Sequence, residues 1–194
     1  MKVLVRSSLL AFTLCLFGAT AVCVLDIGLG RSVAWAGGID EIRVGGFSHN
    51  IDNAGGEAGS DINVEVLFPA VEAATGNQVV DLLLSPRVHI GADINSNGDT
   101  SLLYSGLSWE LPLNDWSFVE LSLGGAVHDG PTQADAGEAS FGCRFNFHES
   151  ISLGVELTEN WRLLATVDHM SNADLCDINR GLTNAGIRLG YRFN

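Results

Sequence analysis

A chain of 194 residues with 23 acidic side chains against 10 basic ones has a formal charge of −13, which excludes nucleic acid as a partner on charge grounds. It is 46% hydrophobic and carries 23 glycines, yet past its first few dozen residues no apolar run reaches the roughly 18 residues that a membrane helix needs. What it offers instead is alternation of apolar and polar residues, the weak signature of a membrane β-barrel.

The start is basic (Lys2, Arg6), residues 9–25 are apolar and uncharged, and Ala34-Trp35-Ala36 stands before Gly37. That order reads as a secretory signal over residues 1–36, cleaved after the A-x-A site, with an uncleaved anchor as the rival reading. Residues 37–194 then form one domain with seven arginines, no lysine and 22 acids, a formal charge near −15. Only Cys143 and Cys176 remain in it, and two cysteines in an exported chain can pair.

Eight alternating segments follow in order. The first, 41–48, sets Ile42 and Val44 against Arg43; the second, 61–68, sets Ile62, Val64, Val66 and Phe68 against Asn63 and Glu65. A connection over 69–81 has room for a helical turn at 71–74. The third, 85–95, opposes Val88, Ile90, Ala92 and Ile94 to Arg87, His89 and Asp93, and Asn97-Gly98 is a hairpin signal. The fourth, 100–111, turns Leu103, Leu107 and Trp109 away from Tyr104, Ser108 and Glu110; the fifth, 116–128, turns Val119, Leu121, Leu123 and Val127 away from Glu120 and Ser122. The sixth is longest, 141–157, with Phe141, Cys143, Phe145, Phe147, Ile151, Leu153, Val155 and Leu157 on one parity. The seventh and eighth, 161–171 and 182–193, close the chain. On the sixth segment's parity Cys143 faces lipid as a small apolar residue, which favours free thiols over a bond to Cys176.

Eight is an even number, and loops near 50–60, 129–138 and 172–182 are longer than the turns at 112–115 and 158–160, as in bacterial barrels with long outer loops and short inner turns. The expectation is an all-β, eight-stranded antiparallel transmembrane barrel in the bacterial outer membrane. A soluble β-sandwich or lipocalin-like barrel is the alternative, but the second face carries Arg43, Glu65, Arg87, Asp93, Glu120, Arg162 and Arg188, a mixture suited to a polar lumen held by ion pairs.

The seventh segment ends His169-Met170-Ser171-Asn172. Side chains two apart on a strand point the same way, so His169 and Ser171 share a face. Their parity is that of Trp161, Leu163, Ala165 and Val167, the lipid side. A serine hydroxyl needs a neighbouring base to act as a nucleophile, and imidazole is the usual one. A polar pair on the lipid face is costly unless it has work to do there.

The chain from Phe145-Asn146-Phe147 through His169-x-Ser171-Asn172-Ala173, Asn179, Gly181 and the aromatic end Tyr191-Arg192-Phe193 resembles the lipid A 3-O-deacylase family of PagL-type outer-membrane barrels. The resemblance implies a serine esterase acting on lipid A of lipopolysaccharide without cofactor, with Ser171 as nucleophile, His169 as base, and the loop bearing Asn172, Asn179 and Gly181 receiving the oxyanion. The family's orienting glutamate falls at Thr183, which cannot carry charge. Glu149, opposite His169 if the turn at 158–160 is a three-residue hairpin, is the candidate replacement acid. The reading from another class is a small non-enzymatic barrel serving adhesion or stability. His49, His89, His128 and His148 lack metal-ligand spacing and read as rim or lumen residues, and no EF-hand pattern is present, so no metal is expected.

Overall fold

The computed structural model describes residues 12–17, 20–26, 32–36, 38–52, 56–70, 72–133 and 140–193. The chain divides into two units, Met1–Gly38 and Ile39–Asn194. In the first, β1 (Phe12–Phe17), β2 (Thr20–Asp26) and β3 (Ser32–Ala36) pair as an antiparallel sheet in the order β1-β2-β3. The described parts of the apolar stretch expected to act as one export signal are thus paired strands, in keeping with the extended preference of their Val, Thr and Phe residues.

The second unit is a closed barrel. Its strands are β4 (Glu41–Ser48), β5 (Ser60–Leu67), β6 (Arg87–Asn95), β7 (Leu102–Asn114), β8 (Ser117–His128), β9 (Phe145–Glu156), β10 (Trp161–Ser171) and β11 (Leu182–Arg192). Each pairs antiparallel with its chain neighbour, and β11 returns to β4 with Ala185 opposite Ser48 and Arg192 opposite Glu41. Closure removes the free edges that would leave backbone groups unpaired in lipid.

Alternation decides what faces where. On β10, Trp161, Leu163, Ala165 and Val167 are exposed while Arg162, Leu164, Thr166 and Asp168 are buried. On β5, Ile62 and Val64 are exposed and Asp61, Asn63 and Glu65 are buried. The surface is therefore apolar and the lumen polar, the inverse of a soluble sandwich and the arrangement of a transmembrane barrel. No helix among the described residues is long and apolar enough to cross a membrane. At the lower rim Tyr191 meets Trp161 and Phe193 edge-on, with ring centroids 4.9 and 5.1 Å apart, an aromatic cluster of the kind that sits at a membrane interface.

The lower lumen is filled by ion pairs. Arg43 donates to Glu41 at 2.6 Å, Glu65 at 3.1 Å and Glu120 at 2.6 Å. Arg162 reaches Glu41 at 3.2 Å and Glu110 at 2.7 Å and also pairs with Glu156. Arg188 links Glu65 at 3.3 Å to the Tyr104 hydroxyl at 3.2 Å. Near the upper rim the filling turns apolar, with Leu102, Tyr104, Ala126, Phe141, Met170 and Leu182 in one cluster.

Two expectations need correction. The connection between β5 and β6 carries its helix not at 71–74 but at α1 (Gln78–Leu83), where the Asn77 side chain accepts from the backbone N–H groups of Val79 and Val80. An Asn N-cap of this kind fixes where a short helix starts. The sixth segment also begins later than its parity suggests. Gly142 takes φ +71°, and a side chain there would collide with the Ile178 carbonyl. That left-handed residue breaks the alternation, so Phe141 turns inward to 2% exposure and Cys143 leaves the lipid face. Cys143 is then bonded to Cys176, with Cα atoms 5.9 Å apart. The expectation of free thiols rested on a parity that this residue cancels.

Candidate active site

The upper end of β10 carries His169 and Ser171, both half-buried on the outward parity of the strand. Their neighbours are fixed by register. Across one side of β10, His169 pairs with Glu149 and Ser171 with Phe147; across the other, His169 pairs with Thr183. Glu149 thus stands where the three-residue hairpin puts it.

The imidazole, however, turns toward β11. His169 Nδ1 lies 2.9 Å from Thr183 Oγ1, and Thr183 Oγ1 donates onward to Asp52 Oδ2 at 3.0 Å. Among the described residues no hydrogen bond joins Glu149 to His169, nor Ser171 to His169. Catalytic contacts of the second kind commonly tighten only when substrate binds.

A hydroxyl has a single proton. The threonine gives its proton to the carboxylate, so it can only accept from the histidine. In the neutral imidazole the proton therefore sits on Nδ1, and Nε2 is left with a free lone pair. This is the tautomer that a general base for serine requires. The charge comes from the loop after β4, which sequence reasoning missed, because no strand parity reaches a residue four positions past a strand end. That loop is held against β11: Ile51 N–H donates to the Thr183 carbonyl at 2.8 Å and Asn50 N–H to Asn184 Oδ1 at 3.0 Å.

Gly181 closes the other side of the ring. It adopts φ +50°, and a Cβ there would lie 2.8 Å from His169 Cε1 and 3.2 Å from Nε2. The absence of a side chain lets the backbone approach the imidazole face closely.

Asn172 and Asn179 build the loop between β10 and β11. Buried Asn172 donates from Nδ2 to the carbonyls of Phe141 at 2.8 Å and Ile178 at 2.6 Å, and its own N–H is capped by Asn179 Oδ1 at 3.0 Å. Asn179 Nδ2 donates to Asp174 Oδ1 at 3.1 Å. The amide nitrogen has two protons, and among the described residues only that one bond is made. The Cys143–Cys176 bond ties the same loop to the segment before β9.

Comparison with known proteins follows the same lines. Residues 82–192 match the family model described as lipid A 3-O-deacylase (PagL). Comparison with curated protein sequences gives no match. Among solved structures, the crystal structure of the outer membrane enzyme PagL superposes with a TM-score of 0.58 at 16% identity, over 80% of this chain and all of that one. A de novo designed transmembrane β-barrel (TM-score 0.46, 10% identity, 79% of this chain and 96% of that one) is also similar. So is the Yersinia pestis outer membrane protein Ail in a phospholipid nanodisc (TM-score 0.46, 14% identity, 80% and 99%). The structural likeness carries the barrel fold; the family model spans more than half of the sequence, and the chain belongs to the lipid A 3-O-deacylase (PagL) family.

Proposed function

We propose that this protein is a serine esterase of the bacterial outer membrane that removes the ester-linked 3-O acyl chain from lipid A of lipopolysaccharide. Residues 1–36 act as the export signal, and the upper rim faces the outer leaflet. The observation that carries the reading is the chain of hydrogen bonds His169–Thr183–Asp52, which supports a bare Nε2 on a histidine that shares the lipid-side parity of Ser171.

Ser171 Oγ attacks the ester carbonyl and its proton moves to His169 Nε2. The oxyanion takes the unused N–H of the Asn179 amide. On collapse the C–O bond to the sugar breaks, and Nε2 returns the proton to the departing sugar oxygen. Water, deprotonated by the same nitrogen, then releases the fatty acid from Ser171. Asp52 supplies through Thr183 the charge that stabilises the imidazolium, so Thr183 and Asp52 are positioning residues. Glu149, opposite His169 but not bonded to it, is the weaker candidate for that task.

Mass spectrometry of lipid A from cells expressing the chain tests this. Lipid A lacking one ester-linked acyl chain with the wild type, and intact lipid A with Ser171→Ala and His169→Ala, is the expected result. Intact lipid A from cells with correctly inserted wild-type protein would leave the non-enzymatic barrel standing.

A further inference from the structure

Above the ion-paired layer, three lumen side chains from three strands converge: Asp93 on β6, His148 on β9 and Asp168 on β10. Each is 1% exposed. One ligand atom from each lies within 4.8 Å of the others, and His148 Nε2 is 3.8 Å from Asp168 Oδ1.

Their hydrogen-bonding capacity is half used, in a consistent way. Asp93 Oδ1 accepts from Asn63 at 2.6 Å and Asp168 Oδ1 from Asn184 at 3.1 Å. Among the described residues the second oxygen of each carboxylate has no hydrogen-bond partner, and neither ring nitrogen of His148 has one. The imidazole is nonetheless held in place, stacked on Tyr104 with centroids 4.3 Å apart. Asn146, two residues before His148 on the same lumen face, is also buried, and among the described residues neither of its amide atoms has a hydrogen-bond partner.

Charge points the same way. Among the described residues no arginine forms an ion pair with Asp93 or Asp168. Arg188 spends its terminal nitrogens on Glu65 and Tyr104, and Arg43 and Arg162 spend theirs on the glutamates below. Two carboxylates facing each other in a low-dielectric interior repel, and burial of unpaired charge is costly. A cation between them would offset both effects.

We propose that the lumen binds one divalent first-row transition ion, of the Zn²⁺ type, through Asp93, His148 and Asp168. An imidazole nitrogen with carboxylate oxygens suits zinc or its first-row neighbours, whereas Ca²⁺ and Mg²⁺ prefer all-oxygen shells. The Asn63 and Asn184 bonds each fix one oxygen of a carboxylate, the kind of support that orients metal ligands. The ion would join β6 to β9 and β10 across the lumen. Asp168 immediately precedes His169, so the ion also steadies the strand end that carries the base. It is a structural ion: His169 and Ser171 lie on the opposite face of the wall.

The test is refolding of the full chain into detergent micelles with ZnCl₂, removal of loose metal with EDTA, and metal analysis. One zinc per folded chain is expected for the wild type and for His49→Gln, which breaks up a separate group in which the His49 ring bonds Asp61 and Glu57. Asp93→Asn and Asp168→Asn, each verified as folded by heat-modifiable migration, should retain none. Without metal, Asp168→Asn should unfold at a higher temperature than the wild type, because it removes the repulsion; with zinc the order should reverse. Co²⁺ in place of zinc should give visible bands that the variants lack. Folded wild-type protein stripped bare by EDTA, or folded variants that keep the metal, would overturn the proposal, and the wild-type measurement decides it even if a variant fails to fold.

Discussion

Nδ1 of His169 lies 2.9 Å from Oγ1 of Thr183 across the β10–β11 pair, and the same hydroxyl donates to Asp52 at 3.0 Å. Two residues thereby meet a requirement that one carboxylate at position 183 would meet alone: an acceptor for the imidazole proton and a negative charge behind it. Thr183→Val removes the acceptor, and Asp52→Asn keeps a partner while removing the charge. Each should lower kcat by about 10- to 100-fold, roughly 1.4–2.7 kcal/mol of transition-state stabilisation, with KM little changed. Thr183→Ser should stay within a few-fold of wild type. The double variant Thr183→Glu with Asp52→Asn, which restores a direct carboxylate, should recover most of the activity. Equal kcat for wild type and Asp52→Asn would remove Asp52 from the mechanism.

Gly181 is a position where the loop comes close to His169. Gly181→Ala forces an L side chain into φ +50° and puts its Cβ 2.8 Å from His169 Cε1. The left-handed backbone costs about 1–2 kcal/mol. Displacing the imidazole by a fraction of an ångström should cost far more in rate than in stability, about 100-fold if the shift nears 1 Å. Thermal unfolding and kcat measured on the same preparation separate the two effects. Unchanged kcat with lowered stability would show that the ring does not lean on the loop.

The strands and their faces were legible in the sequence because a barrel in lipid sorts side chains with a period of two, and β10 keeps that period from Trp161 to Ser171 without interruption. For the same reason His169 and Ser171 were visible as an outward pair. Three features were not. Gly142 breaks the period before β9, and nothing local marks it as left-handed rather than as one more strand glycine. Asp52 reaches the site from a loop 131 residues away in the chain, where no periodicity guides its direction. Asp93, His148 and Asp168 have no ligand spacing along the chain, because barrel closure alone brings β6 across from β9 and β10.

The Cys143–Cys176 bond closes a loop with a sequence separation of 33. Chain-entropy arguments give such a crosslink about 3–4 kcal/mol. Here the bond also holds the loop in which Asn179 Oδ1 caps the Asn172 N–H. Cys176→Ser, or reduction of the folded protein, should lower the unfolding temperature and accelerate proteolysis within 172–181, while the barrel stays closed and heat-modifiable. Activity should fall with it, through misplacement of Asn179. Identical proteolysis in oxidised and reduced protein would show that the loop is held by its asparagine bonds alone.

His49 links pH to the same region. Its ring lies 2.9 Å from Asp61 Oδ2 through Nδ1 and 3.1 Å from Glu57 Oε2 through Nε2. Burial opposes its charged form, but the hydrogen bonds and charges of Asp61 and Glu57 outweigh it and push its pKa up to about 9 from 6.5. A folded-state value above the unfolded one means that the ion pairs contribute fully below about pH 6.5, and that their contribution is lost as pH rises through about 9. His49 stands three residues before Asp52, so the loop that supplies charge to His169 should loosen over that window. Unfolding temperature should decline between pH 6.5 and 9 in the wild type and much less in His49→Gln. Hydrogen exchange at the Ile51 amide, bonded to the Thr183 carbonyl, should quicken beyond the general base-catalysed trend in the wild type over the same interval. Parallel stability profiles for wild type and His49→Gln would show that this histidine is not what ties the loop to pH.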